Sequence, residues 1–199
     1  VNYNMDAIFP FCAEAAQPSV FLVINNDPNV QLIAIEYDSR AFTRPSTVIN
    51  ILENNINPLL EKLWLRIYIR PLFSKNEFWD VVRSHKNRLK CVEFFMLAPN
   101  LASISKGLQL DLAELKNRTN SAKTDLTLRS PKNENLTLSE DDEFIQSLVY
   151  YSSEGGGTIH VTAKNVKKKI KTEDSVKSVE VDEINFVVDN APYQLVQAL

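Results

Sequence analysis

Glycine is scarce in this chain of 199 residues: there are four, and three stand together as Gly155-Gly156-Gly157. Freedom to reverse the backbone is therefore concentrated at one point, where a helical pattern gives way to a β-prone one. Histidine is scarcer still. His85 and His160 are the only two, which leaves imidazole acid–base or nucleophile chemistry few candidates. Cys12 and Cys91 lie too far apart in sequence for a disulfide framework or a metal-ligand spacing, and read as buried free thiols of a reducing cytoplasm. The longest apolar runs, Val20 to Ile24 and Val92 to Ala98, end far short of the ~18–20 residues that a membrane-spanning helix requires. The opening residues lack the basic, apolar, small-residue order of a secretory signal. No Gly-rich phosphate loop ending in Gly-Lys-Ser/Thr, no dinucleotide fingerprint, no His-Glu-x-x-His and no Gly-x-Ser-x-Gly occurs. Excess positive charge is missing too: the formal net charge of −3 argues against a surface that binds nucleic acid all round, and leaves local patches open.

What remains is the composition of a soluble globular protein, 44% hydrophobic and 24% charged. Val20 to Ile24 and Val30 to Tyr37 flank the turn residues Asn25 to Asn29 and predict a β-hairpin. After Arg44-Pro45-Ser46, with Ser46 a plausible cap, Val48, Ile49, Leu52, Ile56, Leu59, Leu60 and Leu63 recur at helical spacing, with a kink or break expected at Asn57-Pro58. Leu65, Ile67 and Ile69 alternate with Arg66, Tyr68 and Arg70 and predict a strand. Further patterns predict helices at 76–83, 101–118 and 139–149 and strands at 89–97 and 124–128, then either two strands at 158–164 and 167–171 or one long bent strand across both, with a last strand-like stretch at 176–184. The order ββαβαβαβαββ with short connections predicts an α/β or α+β fold: a single mixed or antiparallel sheet with helices packed on its faces. One domain is expected over 1–185, with an irregular lead-in at 1–19. Residues 186–199 are expected to form an interface or to lead into a further element.

Charge is regional. Lys164, Lys167, Lys168, Lys169, Lys171 and Lys177 face only Glu173 and Asp174 within the same stretch, whereas Glu134 to Glu154 is acidic. Flexible ammonium groups beside Thr158, Thr162 and Asn165 suit a phosphate backbone. The same lysines also suit an edge strand guarded against aggregation, and the sequence does not choose between the two. Tyr150 and Tyr151 could stack on bases, although core packing of at least one is the simpler reading. Glu140, Asp141, Asp142 and Glu143 have the residue types of a Mg²⁺ site, but their place after Ser139 reads better as acids in the first turn of a capped helix. The Gly triplet leads out of a helix into a strand, the reverse of a phosphate loop, so it reads as a helix stop. No metal or other cofactor is expected.

The run Val149-Tyr150-Tyr151-Ser152-Ser153-Glu154-Gly155-Gly156-Gly157-Thr158-Ile159-His160-Val161, the Lys-rich hairpin after it and Val176-Lys177-Ser178-Val179 resemble prophage proteins related to the phage-exclusion protein RexA. The resemblance implies a defence-associated module that contacts DNA or a partner, and it transfers no catalytic residue. The leading expectation is a non-enzymatic sensor or adaptor of a bacterial anti-phage system, in the cytoplasm, that touches nucleic acid through the six lysines above. Two alternatives stand beside it. One is a protein-interaction subunit that pairs its strand edges with itself or with a partner. The other is a metal-dependent nuclease using Glu140, Asp141, Asp142 or Glu154.

Overall fold

The computed structural model describes residues 18–25, 27, 30–98 and 106–180. The fold is α+β, with four helices and two antiparallel sheets among the described residues. Strands β1 (Leu22–Asn25) and β2 (Leu32–Ile35) pair only with each other, so the strands fall into two sheets where one was expected. Helix α1 (Pro45–Leu60) begins with Pro45, whose missing N–H costs nothing in the first turn. Its cap is Arg44, without a side-chain bond, and not Ser46. The helix runs on through Pro58, which sits in its last turn, and passes into a short 3-10 turn at Glu61–Leu63.

The strand expected at 65–70 is absent. Its backbone groups are taken up by α1: Ile67 N–H donates to Asn57 Oδ1 (2.8 Å), Asn57 Nδ2 donates to the Ile67 carbonyl (3.2 Å), and Ile69 N–H donates to Glu53 Oε1 (2.7 Å). Arg70 adds an ion pair to the same Glu53 oxygen at 3.3 Å. The alternation that suggested a sheet face belongs to an extended segment laid along a helix, where side chains replace a neighbouring strand.

From Phe73 onward the chain builds its core. Helix α2 (Lys75–Ser84) buries Phe78, Trp79 and Val82 and is closed by His85, whose Nδ1–H donates to the Val81 carbonyl at 2.9 Å. Strand β3 (Leu89–Leu97) is followed by α3 (Lys106–Thr119), β4 (Lys123–Arg129), α4 (Glu143–Tyr151), β5 (Gly157–Ala163) and the two-residue β6 (Ile170–Lys171). All pairings in this sheet are antiparallel, in the order β4-β3-β5-β6, with one bulge between Leu89 and Cys91 on the β5 side. Val92, Phe94 and Met96 of β3 and Ile159 and Val161 of β5 join Phe78, Trp79 and Val82 of α2 and Ile145, Leu148 and Val149 of α4 in one apolar cluster. The helices thus cover one face of this sheet. The other carries Glu93, Phe95, Thr158, His160 and Thr162.

The Gly triplet ends α4 through a wide π-type turn at Ser152–Gly156. Gly155 takes φ +88°, and a Cβ on Gly157 would lie 2.3 Å from the Phe95 carbonyl oxygen, so β5 enters the sheet in backbone contact with β3. Tyr151 packs fully buried beside this turn, its hydroxyl donating to the Leu97 carbonyl at 2.5 Å. The second strand expected at 167–171 shrinks to Ile170-Lys171, because 164–169 forms the hairpin loop. Of the strand-like stretch at 176–184 only 176–180 is described. It forms no strand, and Lys177 N–H donates to the Leu72 carbonyl at 2.7 Å. The expectations for 1–17 and for 186–199, Cys12 included, lie outside the described residues, whereas Cys91 is a buried free thiol.

Candidate nucleic-acid interface

Three turns close the sheet at the end where β3 begins and β4 and β5 finish. The turn 85–88 is tied to the β5–β6 loop by Lys164 N–H donating to the Arg88 carbonyl at 2.8 Å. The turn after β4 is tied to β3 by Ser130 N–H donating to the Lys90 carbonyl at 2.9 Å. Each turn carries a Lys-Asn pair: Lys86-Asn87, Lys132-Asn133 and Lys164-Asn165. Asn133 and Asn165 both sit at φ 65°, the left-handed conformation that Asn tolerates better than most residues. Turn chemistry thus sets a lysine beside each reversal.

The result is a basic end to the sheet. Lys86, Arg88, Arg129, Lys132, Lys164, Lys167 and Lys168 are all exposed there. Among the described residues Lys86, Arg88, Arg129, Lys132, Lys164 and Lys167 form no ion pair, and Lys168 reaches Asp174 only at 4.0 Å. Lys90 bonds inward, to the Glu134 carbonyl. Lys164, Lys167 and Lys168 are legible in the sequence as part of a basic run, whereas Lys86, Arg88, Arg129 and Lys132 are not. The available signal was the recurring Lys-Asn turn, but the same dipeptide at Lys75-Asn76 and Lys116-Asn117 makes it unspecific without the strand order.

The other expected lysines do not belong to this group. Lys169 donates to Glu93 at 2.6 Å and Lys171 to Glu173 at 2.9 Å, so both charges are already answered on the open face of the sheet. Lys177 lies at the opposite end, beside Leu72, whose side chain approaches Gly155. The expected set of six thus divides into a free group at one end, an internally paired group and one outlier.

That paired group surrounds His160. Its ring stacks at a tilt on Phe95, with centroids 4.7 Å apart. Nε2 is buried without a hydrogen-bond partner, since the 3.5 Å approach to Glu173 Oε1 does not make a hydrogen bond. Burial holds the His160 pKa below the ordinary imidazole value, although the Glu173 carboxylate pulls the other way. Burial prevails because the same Glu173 oxygen is already engaged by Lys171.

Of the four acids expected in the first turn of a helix capped by Ser139, only Glu143 lies there, because the helix starts three residues later than expected. Asp142, not Ser139, is the cap of α4, accepting from Phe144 N–H and Ile145 N–H at 3.0 Å each. Ser139 instead accepts from Asp141 N–H at 3.2 Å, and Glu140 pairs with Arg83. Glu154 stands beyond the far end of the nine-residue α4, about 13 Å of helix away at 1.5 Å per residue. The four carboxylates of the nuclease alternative therefore do not converge, and no three His, Cys, Asp or Glu side chains among the described residues form a metal-binding group. Nor do the tyrosines reach the basic end: Tyr151 is buried at the Gly turn, and Tyr150 lies under Lys75 Nζ, 4.7 Å from its ring centroid. Among the described residues no helix is long and apolar enough to cross a membrane. Compared with protein-family models, with curated proteins and with solved structures, the chain finds no match in any of the three.

Proposed function

We propose that this protein is a non-enzymatic binding module that contacts the phosphate backbone of nucleic acid through the basic end of its four-stranded sheet. The observation that carries the reading is the convergence of three turns at which Lys86, Arg88, Arg129, Lys132, Lys164 and Lys167 have no acidic partner among the described residues. In a chain of net charge −3, such a cluster offers a polyanion a local contact, bordered by Glu134 and by the Arg83–Glu140 pair. The groups on offer are mostly ammonium ions on flexible stems. They suit phosphate oxygens on either duplex or single strand and do not read bases. A partner of this class agrees with a cytoplasmic location. Sensor or adaptor work in anti-phage defence is the role that the RexA resemblance adds, and it stands on that resemblance alone.

Fluorescence anisotropy with labelled duplex and single-stranded DNA, titrated at several salt concentrations, tests the proposal. Binding should weaken linearly on a log–log plot, with a slope of about −0.9 per phosphate contact on duplex. The triple variant Lys164→Glu/Lys167→Glu/Lys168→Glu should abolish it. No binding at low salt, or binding untouched by the triple reversal, removes the reading.

A further inference from the structure

The two edges of the four-stranded sheet are finished differently. At one edge β6 is two residues long and turns at once into the 3-10 turn Thr172–Asp174, whose Thr172 Oγ1 accepts from Ile159 N–H at 2.9 Å. At the other edge β4 runs for seven residues without proline, glycine or bulge, and no described strand pairs with its outer side. Long, regular, uncovered edges invite pairing with another strand.

The direction of its free backbone groups follows from the bonds at the two ends. Ser130 N–H donates to Lys90 and Ala98 N–H donates to Ala122, so even-numbered residues of the β4 segment bond to β3. Antiparallel strands alternate, and the N–H and C=O groups of Lys123, Asp125, Thr127 and Arg129 therefore point outward. The side chains of these four residues lie on the face away from the helices, and all are exposed. Leu126 and Leu128 lie on the helix side, partly buried against the core with their outer margins uncovered.

From this we infer that β4 is a homodimer edge, pairing with β4 of a second copy of this chain about a two-fold axis at Thr127. The charge sequence selects that register. With the axis at Thr127, Asp125 stands opposite Arg129 of the second copy and Arg129 opposite its Asp125, while Leu126 meets Leu128 on the helix side. An axis at Asp125 would oppose two carboxylates, and one at Leu126 would oppose Lys123 and Arg129. Neither Asp125 nor Arg129 has an ion pair within its own chain among the described residues, so both are free to make the cross-strand pair. Pro131, opposite Lys123 in this register, has no N–H and ends the ladder there. The product is one continuous eight-stranded antiparallel sheet.

Sedimentation equilibrium of the full chain tests this without any nucleic acid, so its outcome is separable from that of the phosphate-binding proposal. The parent should sediment at twice the mass of one chain. Thr127→Pro removes an outward N–H that makes no bond among the described residues. It should give a monomer with an unchanged circular dichroism spectrum. Asp125→Arg sets like charges opposite each other and should likewise give a monomer, and Asp125→Arg/Arg129→Asp, which exchanges the two charges, should restore the dimer. A parent that stays monomeric at the highest soluble concentration overturns the inference, as does a dimer that survives Asp125→Arg. Should Thr127→Pro fail to fold, the charge exchange decides alone.

Discussion

Residues 18–70 and 71–180 are built by different means. No described residue in the first stretch is buried, although β1, β2 and α1 are rich in Leu, Ile and Val, whereas the second contains every buried side chain of the apolar cluster. Helix α1 keeps Val48, Ile49, Leu52, Ile56 and Leu60 half-covered, and the 65–70 segment is held to it by Asn57 and Glu53. The first region is held together by side-chain-to-backbone bonds, the second by side chains packed between helices and a sheet. Helical periodicity shows which residues share a face, but not how thoroughly that face is covered.

The sharpest test of this contrast is a pair of truncations. Phe94 is fully buried at the centre of β3, and Phe94→Ala should cost about 3–5 kcal/mol. Ile51, just over half exposed on α1, should change stability by no more than about 0.5 kcal/mol on going to Ala. Urea midpoints of the two variants against the parent supply the comparison. Equal losses would mean that α1 is covered as thoroughly as the sheet.

The same contrast explains what could be read from the sequence. Strand β3 was legible over its full length, because Leu89 to Leu97 is β-prone throughout and the structure buries it in the middle of a sheet. Helix α4 was legible through its acids and its Gly stop, although the cap fell on Asp142 and not on Ser139. The setting of the 65–70 segment is not legible, because alternation looks the same whether the extended chain lies beside a strand or beside Asn57 and Glu53. The basic end was half legible. Lys164, Lys167 and Lys168 form a run in sequence, whereas Lys86, Arg88, Arg129 and Lys132 join them only because β3, β4 and β5 share one end of the sheet. The pairing of Lys169 with Glu93 spans 76 positions, so local charge counting could not discount it.

A smaller effect belongs to the packed region alone. His160 is held neutral by burial, with Glu93, Lys169, Lys171 and Glu173 as its charged neighbours. Its folded pKa lies below the ordinary imidazole value, so between the two the unfolded chain binds more protons. The resulting stability is present above the unfolded value of about 6.5 and is lost as pH falls through the folded one. Urea midpoints should therefore drop from pH 7 toward pH 5, and His160→Gln should flatten that part of the profile. A His160→Gln profile that keeps the full slope would assign the acid sensitivity to other groups.

No loss at all is expected at Trp64, in the loosely packed region. The residue is 97% exposed and takes φ 58°, ψ 29° at the end of the 3-10 turn that follows α1. A left-handed conformation costs an ordinary L-residue roughly 1–2 kcal/mol, and glycine is spared it. With the indole in water, little packing is lost on its removal, while the added freedom of glycine in the unfolded chain takes back part of the gain. Trp64→Gly should therefore leave the urea midpoint unchanged or raise it by up to about 1 kcal/mol in stability. A loss of about 3–5 kcal/mol, as for a buried aromatic ring, would mean that the indole is covered in solution. Residues 18–70 would then have a packed core of their own, and the contrast between the two regions would fail at its most exposed large apolar side chain.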